Sequence, residues 1–215
     1  MNYNNYIEQY DKIGYSADNI ITINNFLTPE ELDTCTSYLD SITTQGIVDK
    51  KSIKNKEVIR ILDSLSERFY LQLKEHFGDK YSVPIKKKPL VDPHLHKWDM
   101  LLTDALPEHS DCETKDGTPV MTNAYFRYNL TAICYLNDDF TGGQTYFSKY
   151  GVNIVPKAGD LLIFPSRYRH GVTEMPGGIR YTLPTWFTFD IDAELEEEEK
   201  IIVEGNGQEL FWTML

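Results

Sequence analysis

The sequence predicts an α+β chain in which two helices precede an antiparallel β-domain that they can cover. Three observations predict it. Thr28-Pro29-Glu30-Glu31 is a helix start, with Thr28 as the cap, Pro29 at the first helical position and Glu31 closing a capping box. Ile59, Leu62, Leu65, Phe69 and Leu73 recur at spacings of three and four, the period of one apolar helix face. From about Ser82 to Asp190, turn pairs punctuate the chain: Asp92-Pro93, Asp116-Gly117, Asn137-Asp138, Gly142-Gly143, Gly159-Asp160 and Gly177-Gly178. Short strands at that spacing belong to a sandwich or a barrel.

In chain order, residues 1–20 are rich in Asn and Tyr and show no period, and Ile20 to Phe26 alternates as a short strand. The first helix is expected to reach about Ser41 and to bury Leu32, Cys35 and Leu39. Gln45 to Asn55 is polar and reads as a loop. The second helix is expected from Lys56 to Phe77, with Gly78 ending it and His76 near its carboxyl end, where the helix dipole favours histidine. Leu161 to Phe164 is a continuous apolar run and reads as a core strand. Asp190 to Glu199 is strongly acidic and reads as a solvated linker or helix face. Phe211, Trp212 and Leu215 are apolar enough to dock back. The expected organisation is one structural domain: supporting helices over 1–81, a β-core over 82–190, and an acidic linker with an apolar tail over 191–215.

A chain of 215 residues suits a single core. Its formal net charge of −12 argues against sequence-independent binding to nucleic acid, which is made mainly by Lys and Arg. No apolar run approaches the roughly 18–20 residues of a membrane span. Met1 to Tyr10 has neither the basic start nor the apolar stretch of a signal peptide. Cys35, Cys112 and Cys134 are odd in number and far apart, so the expectation is a reducing, cytoplasmic setting without disulfides.

Chemistry concentrates in the β-region. On a strand, residues i and i+2 share a face, so His109-Ser110-Asp111 brings an imidazole and a carboxylate to one point. His170 is the candidate third ligand. Two histidines and one carboxylate leave open positions on an octahedral metal, which suits an Fe(II) that must also bind a cosubstrate and O2. Such a triplet alone is weak, and a histidine bonded in a turn explains His109 equally well. Ten residues after His170 stands Arg180, with Thr182 on the same strand face. A guanidinium beside a hydroxyl suits a carboxylate.

The flanks carry a family resemblance. Residues 125–189 contain the Tyr135-Leu136-Asn137 strand end, the Gly142-Gly143 turn followed by Thr145-Tyr146-Phe147, the segment PKAGDLLIFPSRYRHGV around His170, and GIRYTLPTWFTF around Arg180. With the His109-Ser110-Asp111 triplet, this set resembles the prolyl 4-hydroxylase branch of the Fe(II)/2-oxoglutarate-dependent dioxygenases. The resemblance implies a double-stranded β-helix, or jelly-roll, with helices on one sheet. It implies His109, Asp111 and His170 as iron ligands. Arg180, Tyr135 and Thr182 would bind the far carboxylate of 2-oxoglutarate, and Trp186 would wall the pocket. Arg127 lies near the place of a substrate-contacting arginine. The implied reaction hydroxylates a prolyl residue in a peptide or protein, coupled to decarboxylation of 2-oxoglutarate to succinate and CO2, with O2 consumed and ascorbate as reductant. The chain departs from this pattern in Trp98-Asp99-Met100-Leu101-Leu102, which lacks the tyrosines that relatives carry before the triplet. A non-prolyl substrate, such as another amino acid, a nucleobase or a small molecule, is the alternative.

Two rivals belong to other classes. His94-Leu95-His96 with a later histidine resembles a cupin metal site, but Lys97-Trp98-Asp99-Met100 offers no glutamate and that reading leaves Arg180 without a role. A binding module without catalysis conflicts with an intact set of His109, Asp111, His170 and Arg180.

Overall fold

The computed structural model describes residues 14–43, 45–80, 84–99, 105–120, 125 and 127–189. The acidic run and the apolar tail expected beyond residue 190, and the end of the tyrosine-free stretch from Met100, lie outside them. Two α-helices are present among these residues. Helix α1, Pro29–Ser41, carries the expected capping box in full: Thr28 Oγ1 accepts from Glu31 N, and Glu31 Oε2 accepts from Thr28 N. Helix α2, Lys56–Phe77, begins on Asn55, whose side chain accepts from Glu57 N and Val58 N, and stops at Gly78. Its buried stripe is Val58, Ile61, Leu62, Leu65, Phe69, Leu73 and Phe77. Ile59, expected on that stripe, is only half-buried, because the face is centred one position to either side of it.

Ten strands run in chain order among the described residues: β1 (Ile21–Ile23), β2 (Gly46–Val48), β3 (Leu95–Asp99), β4 (Leu106–His109), β5 (Leu130–Tyr135), β6 (Thr145–Phe147), β7 (Val152–Ile154), β8 (Leu161–Pro165), β9 (His170–Val172) and β10 (Ile179–Phe187). They form a six-stranded sheet, β1-β8-β5-β10-β3-β2, and a four-stranded sheet, β4-β9-β6-β7, with antiparallel pairing throughout. From β3 onward the chain passes back and forth between the sheets, which is the jelly-roll expected. Gln45 to Asn55 is not wholly a loop. Gly46–Val48 pairs with β3 as an edge strand, burying Val48, and Lys50–Ser52 forms one 3-10 turn.

The two faces of the large sheet have different jobs, because side chains alternate along a strand. Leu130, Ala132 and Cys134 of β5 and Leu183 and Phe187 of β10 face the helices and join their core. Tyr135 of β5 and Leu162 and Phe164 of β8 face inward and pack on Phe147 of β6. The helix layer stiffens one face, and the other face is free to carry chemistry. Arg68 of α2 fastens α1 to this layer through Glu31 at 2.6 Å. All three cysteines are buried and none forms a disulfide. No helix among the described residues is long and apolar enough to cross a membrane.

Candidate active site

The space between the sheets collects the polar residues. His109 on β4 and His170 on β9 are direct cross-strand partners, and their ring centroids lie 4.5 Å apart. Asp111 completes the group, with Oδ1 3.6 Å from His109 Nε2 and 3.8 Å from His170 Nε2. Among the described residues this is the one cluster of three or more ligand side chains able to hold a metal, and all three are buried. The triplet does not converge by strand alternation as the spacing predicts. β4 ends at His109, and Ser110 turns the chain: its Oγ accepts from Cys112 N and Glu113 N and donates to Ser166 O. Asp111 N also bonds Ser166 O, at 3.0 Å.

Each of the three side chains is oriented by a second bond. His109 Nδ1 lies 2.9 Å from Pro107 O, and His170 Nδ1 lies 2.9 Å from Tyr168 O. A carbonyl only accepts, so both rings carry their proton on Nδ1 and present a bare Nε2. Burial, reinforced by His170, pushes the His109 imidazole down to about 4 against the pull of Asp111. It is therefore neutral at pH 7, as a ligand must be. Asp111 Oδ2 accepts from Thr131 Oγ1 at 2.6 Å and from Trp186 Nε1 at 2.9 Å, which leaves Oδ1 for the cluster. Two imidazole nitrogens and one carboxylate oxygen with bonded outer partners fit a divalent metal such as Fe(II).

Arg180 lies on the same inner face, buried to 5% exposure. Its guanidinium donates to Thr145 Oγ1 at 3.2 Å and stands 5.4 Å from the Tyr135 ring. The Tyr135 hydroxyl bonds the same Thr145 Oγ1 at 2.8 Å. Among the described residues no carboxylate pairs with Arg180, and its Nε has no partner. Burial pulls this guanidinium down from its ordinary value, with Tyr135 opposing. An unpaired cation held away from water calls for an anionic ligand. A cleft beside it is lined by Trp98, Arg180, Leu106, Val172 and Met175. Leu106 and Val172 belong to the ladder that carries His109 and His170.

Thr182 lies on the inner face opposite Tyr135 and His96. Trp186, expected as a wall, also bonds the carboxylate of Asp111 and stacks on His94 and Tyr128. Arg127 is half-buried in the turn before β5 and makes no hydrogen bond or ion pair with a described residue. His94 and His96 share the inner face but assemble no metal cluster among the described residues, so the cupin arrangement does not form. Sequence reasoning passed over Thr131 and Thr145. Thr131 follows from the alternation that puts Tyr135 inward, and Thr145 stands two residues beyond the Gly142-Gly143 turn.

Residues 96–188 match the 2OG-Fe(II) oxygenase superfamily. Among curated relatives, prolyl 3-hydroxylase 2 of Rattus norvegicus is 36% identical over 81 residues, which is 34% of this chain and 12% of that protein. Human prolyl 3-hydroxylase 1 is 35% identical over 98 residues, 40% of this chain and 13% of that protein. The chain thus spans only about an eighth of the length of these relatives. In fold it resembles the viral collagen prolyl hydroxylase of Paramecium Bursaria Chlorella virus-1 in its 2OG complex, with TM-score 0.59 and 15% identity over 83% of this chain and 98% of that one. It also resembles a Trichoplax adhaerens prolyl hydroxylase in complex with a hypoxia inducible factor peptide fragment, with TM-score 0.55 and 16% identity over 95% of this chain and 98% of that one.

Proposed function

We propose that this chain, which belongs to the 2OG-Fe(II) oxygenase superfamily, hydroxylates a prolyl residue in a peptide or protein, with 2-oxoglutarate decarboxylated to succinate and CO2. One observation carries the reading. The unpaired, buried Arg180 and the His109, Asp111 and His170 cluster face the same inter-sheet space, with bare Nε2 atoms at one end and a cation at the other. A dicarboxylate with a keto acid end is the ligand that uses both.

His109, Asp111 and His170 would hold Fe(II). With 2-oxoglutarate and O2, the iron supplies the oxidising power, and ascorbate is the reductant that keeps it usable. The chain's residues bind and orient. Arg180 holds the far carboxylate, Thr145 ties the guanidinium to the Tyr135 hydroxyl, and Thr182, directly across from Tyr135, adds its hydroxyl to the same carboxylate. Trp186 and Thr131 fix the Asp111 carboxylate so that one oxygen stays with the cluster. The apolar residues of the cleft exclude water and protect against turnover without substrate. Arg127, next in sequence to the Tyr128 that stacks on Trp186, would meet the substrate. The prolyl preference is supported by the names of the relatives, several of them prolyl hydroxylases. A reducing compartment such as the cytoplasm fits three buried cysteines that form no disulfide.

The test is coupled turnover. With iron, ascorbate, O2 and 2-oxoglutarate, succinate formation should rise several-fold when a proline-rich peptide is added. Succinate formation that responds to a nucleoside or free amino acid, and not to any peptide, would leave the dioxygenase reading and remove the prolyl one.

A further inference from the structure

His96 stands on β3 between His94 and Trp98, directly across from Thr182 of β10. Its two ring nitrogens are unequal. Trp98 Nε1 lies 3.3 Å from His96 Nδ1. An indole N–H only donates, so Nδ1 accepts and the proton of the neutral ring sits on Nε2. That Nε2–H is shut off from solvent and has no hydrogen-bond partner among the described residues. Burial, with His94 and Arg180 acting in the same direction, holds the imidazole well below its usual value, so the ring stays neutral. A buried donor without an acceptor is costly, and native proteins keep few of them. A second one is close by. Arg180 Nε is also buried and unpartnered among the described residues, and Arg180 is the cross-strand partner of Trp98. Two orphan donors on one face, one of them cationic, ask for a ligand with several anionic acceptors.

Position separates their roles. Along β10 the inner face carries Arg180, then Thr182, then Trp186, whose indole bonds Asp111 at the metal cluster. His96, opposite Thr182, is therefore one pleat nearer the cluster than Arg180, a step of roughly 7 Å along a strand. We infer that His96 donates its Nε2–H to the carboxylate beside the keto group of 2-oxoglutarate, while Arg180 holds the far one. This rests on the cosubstrate reading above. It makes His96 a binding residue in its own right and gives the second histidine of His94-Leu95-His96 a use other than metal ligation.

Binding, measured without O2 by calorimetry on Mn(II)-loaded protein, tests it. His96→Leu should weaken 2-oxoglutarate about tenfold to a hundredfold, the usual loss for a hydrogen bond to a charged group. Mn(II) affinity should stay as in the wild type. His96→Gln keeps an N–H donor and should recover most of the loss, which a merely structural role would not predict. With Zn(II)-loaded protein and 2-oxoglutarate carrying 13C in one carboxylate or the other, His96→Leu should move the signal of the carboxylate beside the keto group and leave the far one in place. If His96→Leu folds poorly, wild-type protein still answers: a histidine Nε2–H proton, absent from His96→Gln, should become slow to exchange with water only when 2-oxoglutarate is bound. If Arg180→Ala weakens 2-oxoglutarate and His96→Leu does not, the cosubstrate site stands and this role for His96 falls. Movement of the far carboxylate signal would equally overturn it. Wild-type protein that binds Mn(II) but no 2-oxoglutarate would remove the cosubstrate reading itself, and this inference with it.

Discussion

Trp186 Nε1 donates to Asp111 Oδ2 at 2.9 Å, from the large sheet across to the turn that follows β4. The bond joins the last described strand of the roll to the one acidic member of the candidate metal cluster. Thr131 Oγ1 takes the same oxygen at 2.6 Å. With Oδ2 doubly occupied, the carboxylate has one orientation, and Oδ1 faces the two histidines. The strand pairing Trp186↔Thr131 puts both donors side by side, so the sheet register itself sets the direction of the Asp111 carboxylate.

Trp186→Phe should therefore keep the stacking on His94 and Tyr128 but lose the donor. Outer partners of metal ligands typically contribute ~10- to 100-fold in affinity. Titration with Mn(II) or Fe(II) should show a loss of that size, with the melting temperature of the metal-free protein little changed. An unchanged metal affinity would mean that Thr131 alone suffices to hold Asp111.

Arg180→Ala should leave metal binding nearly intact and weaken 2-oxoglutarate severely. Removing one partner of a buried charge pair typically costs ~2–5 kcal/mol, roughly 30- to 5,000-fold. Arg180→Lys should fall between, since it keeps the charge and loses the fork. Calorimetric titration of 2-oxoglutarate into Mn(II)-loaded protein reads both numbers.

Stability of the metal-free protein should fall as pH drops from about 6.5 towards 4. Burial lowers the His94 and His96 imidazoles and puts His109 near 4, whereas in the unfolded chain each titrates near 6.5. Between those values the unfolded state binds more protons, so the folded state loses ground as pH falls. Above about 6.5 the contribution is fully present. Urea melts at pH 7.5, 6 and 5 should show the midpoint falling, and His96→Phe should flatten the slope.

Gly142 tests the turn that delivers Thr145. Its φ is +75°, and a Cβ there would stand 1.9 Å from Glu174 O, a backbone atom that cannot step aside cheaply. Gly142→Ala should cost on the order of 2 kcal/mol or more. For a chain of this size the melting temperature should then drop by roughly 2–4 °C per kcal/mol. A variant as stable as the wild type would show that the turn tolerates another path.

What was legible in the sequence follows physical rules of short range. The capping box at Thr28 and the stripe from Leu62 to Leu73 depend on neighbours three and four residues away, and both helices stand at the residues their patterns predict. The edge strand Gly46–Val48 was hidden because only three residues pair, and Ile47 remains 63% exposed, so no alternation betrays it. Ser110 shows the other kind of limit. Period two places His109 and Asp111 on one face of a strand, but the strand has ended, and a serine hydroxyl turns the chain instead. The pairing of Trp186 with Asp111 spans most of the core in sequence and is visible only once the sheets are in place.

The substrate prediction rests on the rim of the site. Ile47 is directly opposite His96 across the β2–β3 pair, so it stands on the chemistry-bearing side of the sheet while remaining largely exposed. An exposed β-branched side chain beside the proposed site offers an apolar contact to an extended peptide. Proline favours that geometry, because its fixed φ leaves less conformational entropy to lose on binding. A proline-containing peptide incubated with the enzyme, iron, ascorbate, 2-oxoglutarate and O2 should gain one oxygen on a proline ring by mass spectrometry. The same peptide with alanine in place of that proline should gain none. Fragmentation and comparison with 3- and 4-hydroxyproline standards identify the ring carbon. Ile47→Asp should raise the KM for peptide about tenfold, in line with the loss of an apolar contact worth roughly 1–2 kcal/mol, and leave 2-oxoglutarate affinity unchanged. Equal KM values for Ile47→Asp and wild type would place the peptide elsewhere on the rim, and Arg127→Ala, next in sequence to the Tyr128 that stacks on Trp186, would then be the variant that loses it.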